Sequence, residues 1–429
     1  MKIKTKVLPY EQVMALPRPA YQEPKRPNLF FRTLVRAAAS GDLKDAEFSF
    51  RTERMEELGE GPYLILMNHS SFIDLEIVSR VMYPKPYCII CTSDGFVGKE
   101  WLMRQIGCIP TNKFVTDASL IADIDIALKE KKCSVLLYPE ASYSFDGTAT
   151  PLPRGLGVML KRLKVPVVGI LTEGAFTRDP LYNCLQKRKV KVSAVVRGLL
   201  TPEEIRAHTN AELDAMLDEM FSFDGFRWQQ ENRIEISEPF RADGLERILY
   251  KCPHCGAEGQ TEGRGTSFVC HACGRKYELD PYGFLCAADG GEPAFTHVPD
   301  WYAWERREVR RELEEGSYLL DTEVEIGMLV DFKAIYMVGE GRLRHDLSGF
   351  TLDGCGGKLH FERPAAQCYS LYADYYWYEL GDIICIGDRD AQYYCFPKEK
   401  VPVAKARLAT EERYKMLRAR KRAGNLKNP

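Results

Sequence analysis

Two stretches of this chain combine residues that can move a proton with spacings that can bring them together. The first is NHSSFID, residues 68–74. The imidazole of His69 titrates near neutrality, and Asp74 can hold one ring nitrogen, fixing the tautomer and leaving the other free as a base. A structural reading competes with this one: Ser71 followed three positions on by Asp74 is a capping box, enough by itself to start a helix. The capping box accounts for neither Asn68 nor His69. Five positions on an ideal helix lie roughly 140° apart, so the pair meets only if His69 sits in a turn and Asp74 in the first helical turn.

The second stretch is SVLLYPEAS, an apolar run that ends at Pro139 and Glu140. If both runs are strands, Glu140 emerges on the same rim as His69, where open α/β sheets hold their ligands. Between the two, GKEWLMRQIGCIPTNK supplies Lys99, Arg104 and Lys113, and Arg154 precedes Gly155. One such cation is an ordinary solvated charge. Several beside a His–carboxylate pair suit an anionic substrate whose phosphate they neutralise.

A third constellation is metal-ligating. CPHCG and CHACG place Cys252, Cys255, Cys270 and Cys273 in two Cys-x-x-Cys knuckles, with 14 residues between Cys255 and Cys270. That spacing predicts a Cys₄ zinc ribbon. Gly256 and Gly274 permit the tight turn after each knuckle. Four thiolates leave no open position, so the expected Zn²⁺ is structural, with His254 and His271 as spectators. The intervening GQTEGRGTSFV is too polar for a core, so metal is what would fold the segment. Cys88 and Cys91 stand three apart in a strand-like run and point to opposite faces.

The elements that must position these residues alternate. PYLILM (62–67) reads as a strand and SFIDLEIVSRVMY (71–83) as a helix stopped by Pro84. PYCIICT, SVLLYP, VPVVGILT and KVKVSAVV read as strands, ASLIADIDIALKEKK and GLGVMLKRLK as helices. This is an α/β domain with a mostly parallel sheet flanked by helices. One helix over 201–221, capped by Thr201 and Glu204, closes it. The expected organisation is a basic arm with a short amphipathic helix over 1–45, the α/β domain over 46–245 and the ribbon over 250–280. A β-rich domain of five or so strands with a basic terminal helix follows over 281–429; it weakly resembles a pleckstrin-homology module. In the arm, Phe30, Phe31, Leu34 and Val35 recur at helical spacing. Packing on the protein's own core is the preferred reading of that face, membrane contact the other.

The 429 residues suit two or three domains, and fractions of 45% apolar and 28% charged residues are those of a globular protein. The net charge of −2 names no partner, but the ends are basic. Residues 1–40 hold eight Lys/Arg, and 401–429 hold nine against Glu411 and Glu412. No run approaches the roughly 18 apolar residues needed to span a bilayer, and MKIKTKVLPYEQ has no signal-peptide core. Fourteen cysteines without an export signal predict reduced thiols and a cytoplasmic location.

NHSSFID resembles the NHxxxxD block of the lysophosphatidate/glycerol-3-phosphate acyltransferases. GCIPTNK, YPEASYS and VPVVGI are similar to that family's later blocks and stand in family order over about residues 50–225. The resemblance implies a 1-acylglycerol-3-phosphate O-acyltransferase type of enzyme, with His69 as general base and Asp74 orienting it. Glu140 would position the acceptor's hydroxyls, Lys113 would take the place of a phosphate-binding Arg, and Lys99 or Arg154 could add charge. The implied donor is acyl-CoA or acyl carrier protein, and the acceptor a lysophospholipid. The enzyme would work peripherally on the inner face of the membrane, and nucleic acid is not an expected partner. The family's Gly after Glu is Ala141 here and its Arg is Tyr143, which predicts an altered headgroup preference. The same departures also fit a regulatory or binding protein on a degenerate acyltransferase scaffold, with the ribbon as an interaction module.

Overall fold

A computed structural model describes residues 2–115 and 117–424. Lys427 of the basic tail lies outside the described residues.

The first sheet runs in the order Ser49–Glu53, Ser193–Leu200, Val167–Glu173, Leu64–Met67, Ser134–Leu137, Tyr87–Thr92, Cys108–Thr111. Every pairing is parallel except that of Val167–Glu173 with Ser193–Leu200. The central strand Leu64–Met67 is buried along its whole length, as expected of a parallel strand covered on both faces. On one face Ile73, Ile77, Val78 and Met82 of helix Ile73–Met82 pack against Ile65 and Met67. On the other, Leu156, Met159, Leu160 and Leu163 of helix Leu156–Leu163 pack near Leu64 and Leu66. Because Leu64–Met67 and Ser134–Leu137 are parallel neighbours, the segments that follow them emerge side by side.

The single helix expected over 201–221 is two, Pro202–Ala207 and Asn210–Met220. Thr201 and Glu204 form the expected capping box, and Thr209 and Glu212 form a second one that restarts the chain after His208. The helix Leu29–Asp45 also departs from the preferred reading. It buries only Ala39 and Leu43, while Phe30 is 67% exposed and Leu29 and Leu34 are exposed too. An amphipathic period shows which residues share a face, not whether protein or something else covers it.

The ribbon is a four-stranded antiparallel sheet, ordered Leu285–Ala287, Lys276–Leu279, Ser267–Cys270, Thr261–Arg264. Helix Val298–Glu315 packs on it, with the Trp301 ring edge-on to Phe268 at 5.4 Å and to Tyr277 at 5.3 Å. Beyond lies an antiparallel sheet ordered Leu359–Pro364, Gly349–Gly354, Ile335–Asp346, Leu320–Leu329, Gln392–Pro397, Gly381–Gly387, Tyr372–Trp377. Thr5–Val7 joins it by pairing in parallel with Ile335–Met337. The arm thus contributes a strand to the far end of the chain. Helix Val403–Arg422 closes this region. One core connects Phe145 and Tyr182 of the first domain, Phe268 and Trp301, and Leu408 of the last helix. Among the described residues no helix is long and apolar enough to cross a membrane.

The last sheet sits against the loops at the carboxyl ends of the parallel strands. Tyr372 Oη and Trp377 Nε1 donate to Asp94 Oδ2 at 2.9 and 3.1 Å. Asn112 Nδ2 donates to the Asp388 carbonyl, and the Tyr375 ring lies 4.6 Å from that of Phe145. A register shift between Asp374 and Trp377 places a bulge in this contacting strand, a feature found next to active sites because it re-aims side chains.

Candidate active site

Asn68 ends the central strand and ties it to its neighbour. Its Oδ1 accepts from Thr172 N at 2.9 Å, and its Nδ2 donates to Ser70 Oγ at 3.0 Å. The chain then turns, so that His69 stands in the turn and Asp74 in the first helical turn. Asp74 Oδ2 lies 3.0 Å from His69 Nδ1 and accepts the backbone amides of Ser70 and Ser71 at 2.7 and 3.1 Å. Only half of the expected capping box forms. Asp74 takes the Ser71 amide, but among the described residues no side-chain cap bonds the helix start. The carboxylate is thus committed to the histidine and its turn.

The His69 ring lies between two phenols, 3.9 Å from Tyr138 and 3.9 Å from Tyr143 by centroid. Its side chain is 12% exposed. Burial, with the nearby Lys113 charge, holds its pKa well below the ordinary histidine range, so the ring is neutral at pH 7. In the tautomer that donates Nδ1–H to Asp74, Nε2 carries the free lone pair. Burial pushes the Asp74 carboxyl up, while the Ser70 and Ser71 amides pull it back. The arrangement can abstract a proton and stabilise the imidazolium that results.

Glu140 departs from its expected place. It does not stand open on the rim to meet a ligand's hydroxyls; it is buried and spent on the protein itself. Oε1 accepts the His69 amide at 3.1 Å, and Oε2 accepts Thr150 N and Oγ1 at 2.8 and 3.0 Å. Burial raises its pKa to about 7. Ala141, next to it, has φ of 56°, a left-handed conformation that costs an L-residue roughly 1–2 kcal/mol. Strain and carboxylate together set the turn under the histidine.

The cations divide. Lys113 stays with the site: its Nζ lies 4.1 Å from the Tyr372 ring centroid, its charge is felt at His69, and burial lowers its pKa. Among the described residues no carboxylate lies within ion-pair distance of it, which leaves it able to meet an anion. Arg154 does not join; it is 48% exposed and pairs with Asp218 at 2.5 Å. Lys99 stands at the start of helix Glu100–Gln105, and its ammonium makes no side-chain hydrogen bond among the described residues. Tyr143 is a wall of the histidine, not an open group facing solvent.

Residues to which sequence reasoning gave no role also reach the site. Tyr138 and Phe72 lie inside the YPEASYS and NHSSFID blocks, whereas nothing local marked Tyr372 or Arg407. Phe72, half exposed, lies 5.4 Å from the Tyr143 ring at the edge of the site.

The four ribbon cysteines form a second constellation, their sulfurs all within 4.8 Å of one another. Cys252 and Cys273 are 3.8 Å apart, as are Cys255 and Cys270. A tetrahedral zinc with sulfurs at about 2.3 Å needs sulfur pairs about 3.8 Å apart. The donor set and spacing fit that ion.

A family model for acyltransferases matches residues 49–173. Among solved structures the chain is similar to the 1-acyl-sn-glycerophosphate (LPA) acyltransferase PlsC of Thermotoga maritima, at 14% identity and a TM-score of 0.35. That likeness covers 44% of this chain and 76% of the other. No curated protein matches the sequence.

Proposed function

Residues 49–173 belong to the acyltransferase family, and from that premise we infer that the chain moves a fatty acyl group from a thioester to a hydroxyl of a lysoglycerophospholipid-type acceptor. The observation that carries this is the 3.0 Å contact of His69 Nδ1 with Asp74 Oδ2, in a turn whose amide is held by Glu140. Nε2 takes the acceptor's hydroxyl proton as the oxygen attacks the thioester carbonyl. The tetrahedral intermediate collapses, the C–S bond breaks, and the thiolate leaves with the proton returned from the imidazolium. Asp74 steadies the cation between these steps. No side chain need be acylated.

Lys113 is the residue we assign to the acceptor's phosphate, supported by its ammonium near His69, which makes no ion pair within 4.0 Å among the described residues though Asp374 and Asp94 act on it from further off. The four cysteines hold a structural zinc that fixes the ribbon and takes no part in transfer. The donor is acyl-CoA or acyl carrier protein, and both belong in the deciding experiment. That experiment is a panel of lysolipid acceptors with each donor, with products read by mass spectrometry. Transfer to none of them favours the binding-protein reading, to which the enclosure of His69 by two rings also lends support.

Acceptor choice is the first expected outcome. Tyr143 presents a ring to His69 where the resembling family has a guanidinium, and a charge-assisted hydrogen bond is roughly twice as strong as a neutral one. A phosphodiester lysolipid is therefore expected to be used in preference to lysophosphatidate. Tyr143→Arg should raise the kcat/KM ratio in favour of lysophosphatidate, while absolute turnover falls because the histidine loses a wall. A wild-type enzyme that strongly prefers lysophosphatidate contradicts this.

The lipid surface is the second. Phe30, Leu29 and Leu34 are exposed on one helix and Trp101 and Leu102 on helix Glu100–Gln105, and the Phe31 ring links the two, 5.2 Å from Phe30 and 5.9 Å from Trp101. Trp101 is 68% exposed. Arg32 and Arg36 lie between the apolar positions, and each cation near an anionic leaflet adds about 1 kcal/mol. This face would place the enzyme peripherally on the cytoplasmic leaflet. Phe30→Ser with Trp101→Ser is expected to weaken co-sedimentation with anionic liposomes by about tenfold or more, since each inserted side chain is worth about 1.5–3 kcal/mol. Undiminished binding by the double variant places the contact elsewhere.

A further inference from the structure

The segment 140–145 contributes two of the groups that surround the base: the Glu140 carboxylate under the His69 amide and the Tyr143 ring against its face. This segment is fastened by a residue from the far end of the chain. Arg407, on helix Val403–Arg422, is 3% exposed. Its Nη2 donates to Ser142 Oγ at 2.8 Å, and its Nη1 donates to the Tyr143 carbonyl at 3.3 Å. The guanidinium also covers the Phe145 ring, 4.3 Å from its centroid. One side chain therefore contacts residues 142, 143 and 145, immediately after the glutamate.

Arg407 is itself held from behind. Its Nε donates to Glu411 Oε1 at 3.2 Å, and Glu411 accepts from Ser370 Oγ at 2.8 Å and pairs with Arg306 at 2.7 Å. Helix Val298–Glu315, the segment leading into strand Tyr372–Trp377 and the last helix all meet at this point. A buried ion pair is weak grounds for a stabilising role, because apolar residues of similar volume often serve as well. What an apolar residue could not do is hold a hydroxyl and a backbone carbonyl at once, which the planar fork does.

We propose that Arg407 is a positioning residue for acyl transfer: through Ser142 Oγ and the Tyr143 carbonyl it fixes the Tyr143 ring and the Glu140 turn around His69, so that the C-terminal region completes the active site. The proposal rests on the acyl-transfer reading given above. It makes the residues beyond 281 part of the working enzyme.

The test uses the full chain, assayed with whichever acceptor the wild type uses best. Arg407→Ala is expected to lower kcat on the order of 10²-fold, the cost of a small misplacement of reacting groups, with KM for the acyl donor unchanged. Arg407→Lys keeps the charge but not the fork and should recover only part of the loss. Ser142→Ala should lower kcat by itself, and adding it to Arg407→Ala should cost nothing further, because both remove the same link. An arginine needed only for folding would lower the melting temperature and the folded fraction, not kcat per folded molecule. In histidine-labelled NMR, the His69 resonance, shifted by its two flanking rings, should move toward an unstacked value in Arg407→Ala. Should the wild type transfer no acyl group to any acceptor, the proposed function falls and the NMR shift still decides the positioning role. Wild-type kcat and an unmoved His69 resonance overturn the proposal. If Arg407→Ala does not fold, the same readouts on Ser142→Ala and Arg407→Lys decide it.

Discussion

His69→Ala is expected to lower turnover by about 10²–10⁴-fold, the range that a positioned general base contributes. The ring does not stand free on a rim, as the sequence suggests, but fills the space between Tyr138 and Tyr143. Its removal therefore has a packing cost as well, within the roughly 0.5–3 kcal/mol of most single substitutions. Melting temperature measured beside turnover separates the two effects. Asp74→Asn should lose much of the activity because the amide cannot stabilise the imidazolium, and it also disturbs a turn that uses three donors on one carboxylate oxygen. A His69→Ala protein that keeps more than about a tenth of wild-type turnover would place the base elsewhere.

The second large effect concerns the ribbon. The purified protein should carry about one zinc per chain, and structural zinc sites release an apparent 10–16 kcal/mol or so on ligation in small modules. Cys252→Ser with Cys270→Ser should unfold the strands around the knuckles. From sequence, that segment reads as an appendage whose loss leaves the first domain intact. The packing points to a wider consequence. Trp301 bridges Phe268 and Tyr277, and helix Val298–Glu315 in turn presents Arg306 to Glu411 and Glu412 of the last helix at 2.7 and 3.1 Å. Hydrogen exchange in the double variant should rise in both helices, and turnover should fall with it. Metal analysis after purification without chelators that finds neither zinc nor iron would remove the assignment.

The parts of the molecule legible in sequence are those fixed by local pattern. Buried parallel strands such as Leu64–Met67 read as apolar runs because both faces are covered. The His69–Asp74 pairing could be anticipated because a turn followed by a first helical turn is the geometry in which the two meet. The knuckles were legible because ligand spacing is set by the ion. The Thr209–Glu212 box was equally local, and it divides what apolar periodicity alone reads as one helix. Other features carry no local signature. Glu140 is indistinguishable in sequence from a carboxylate open to a ligand, since its partners, the His69 and Thr150 amides, are backbone groups common to every residue. Arg407 reads as one of many cations on a basic helix, and only the fold brings it to Ser142. The exposure of Phe30 depends on what the rest of the protein leaves uncovered, which periodicity does not report.

The parallel pairing of Thr5–Val7 with Ile335–Met337 has a bearing on how the molecule comes into being. A strand made among the first residues cannot find its neighbour until about 330 more have left the ribosome. At synthesis rates of about 5–20 residues per second that is a wait of roughly 15–65 s. The α/β domain, whose strands lie between residues 49 and 200, can fold well inside that interval. Its rim, however, stays uncovered by the last sheet and unlatched by Arg407 until the final helix has been translated. A nascent chain would then pass through a period in which the first domain is folded but the segment carrying Tyr143 is not yet fastened by Arg407. Competence for transfer would wait for helix Val403–Arg422 to be made, long after the strands of the α/β domain.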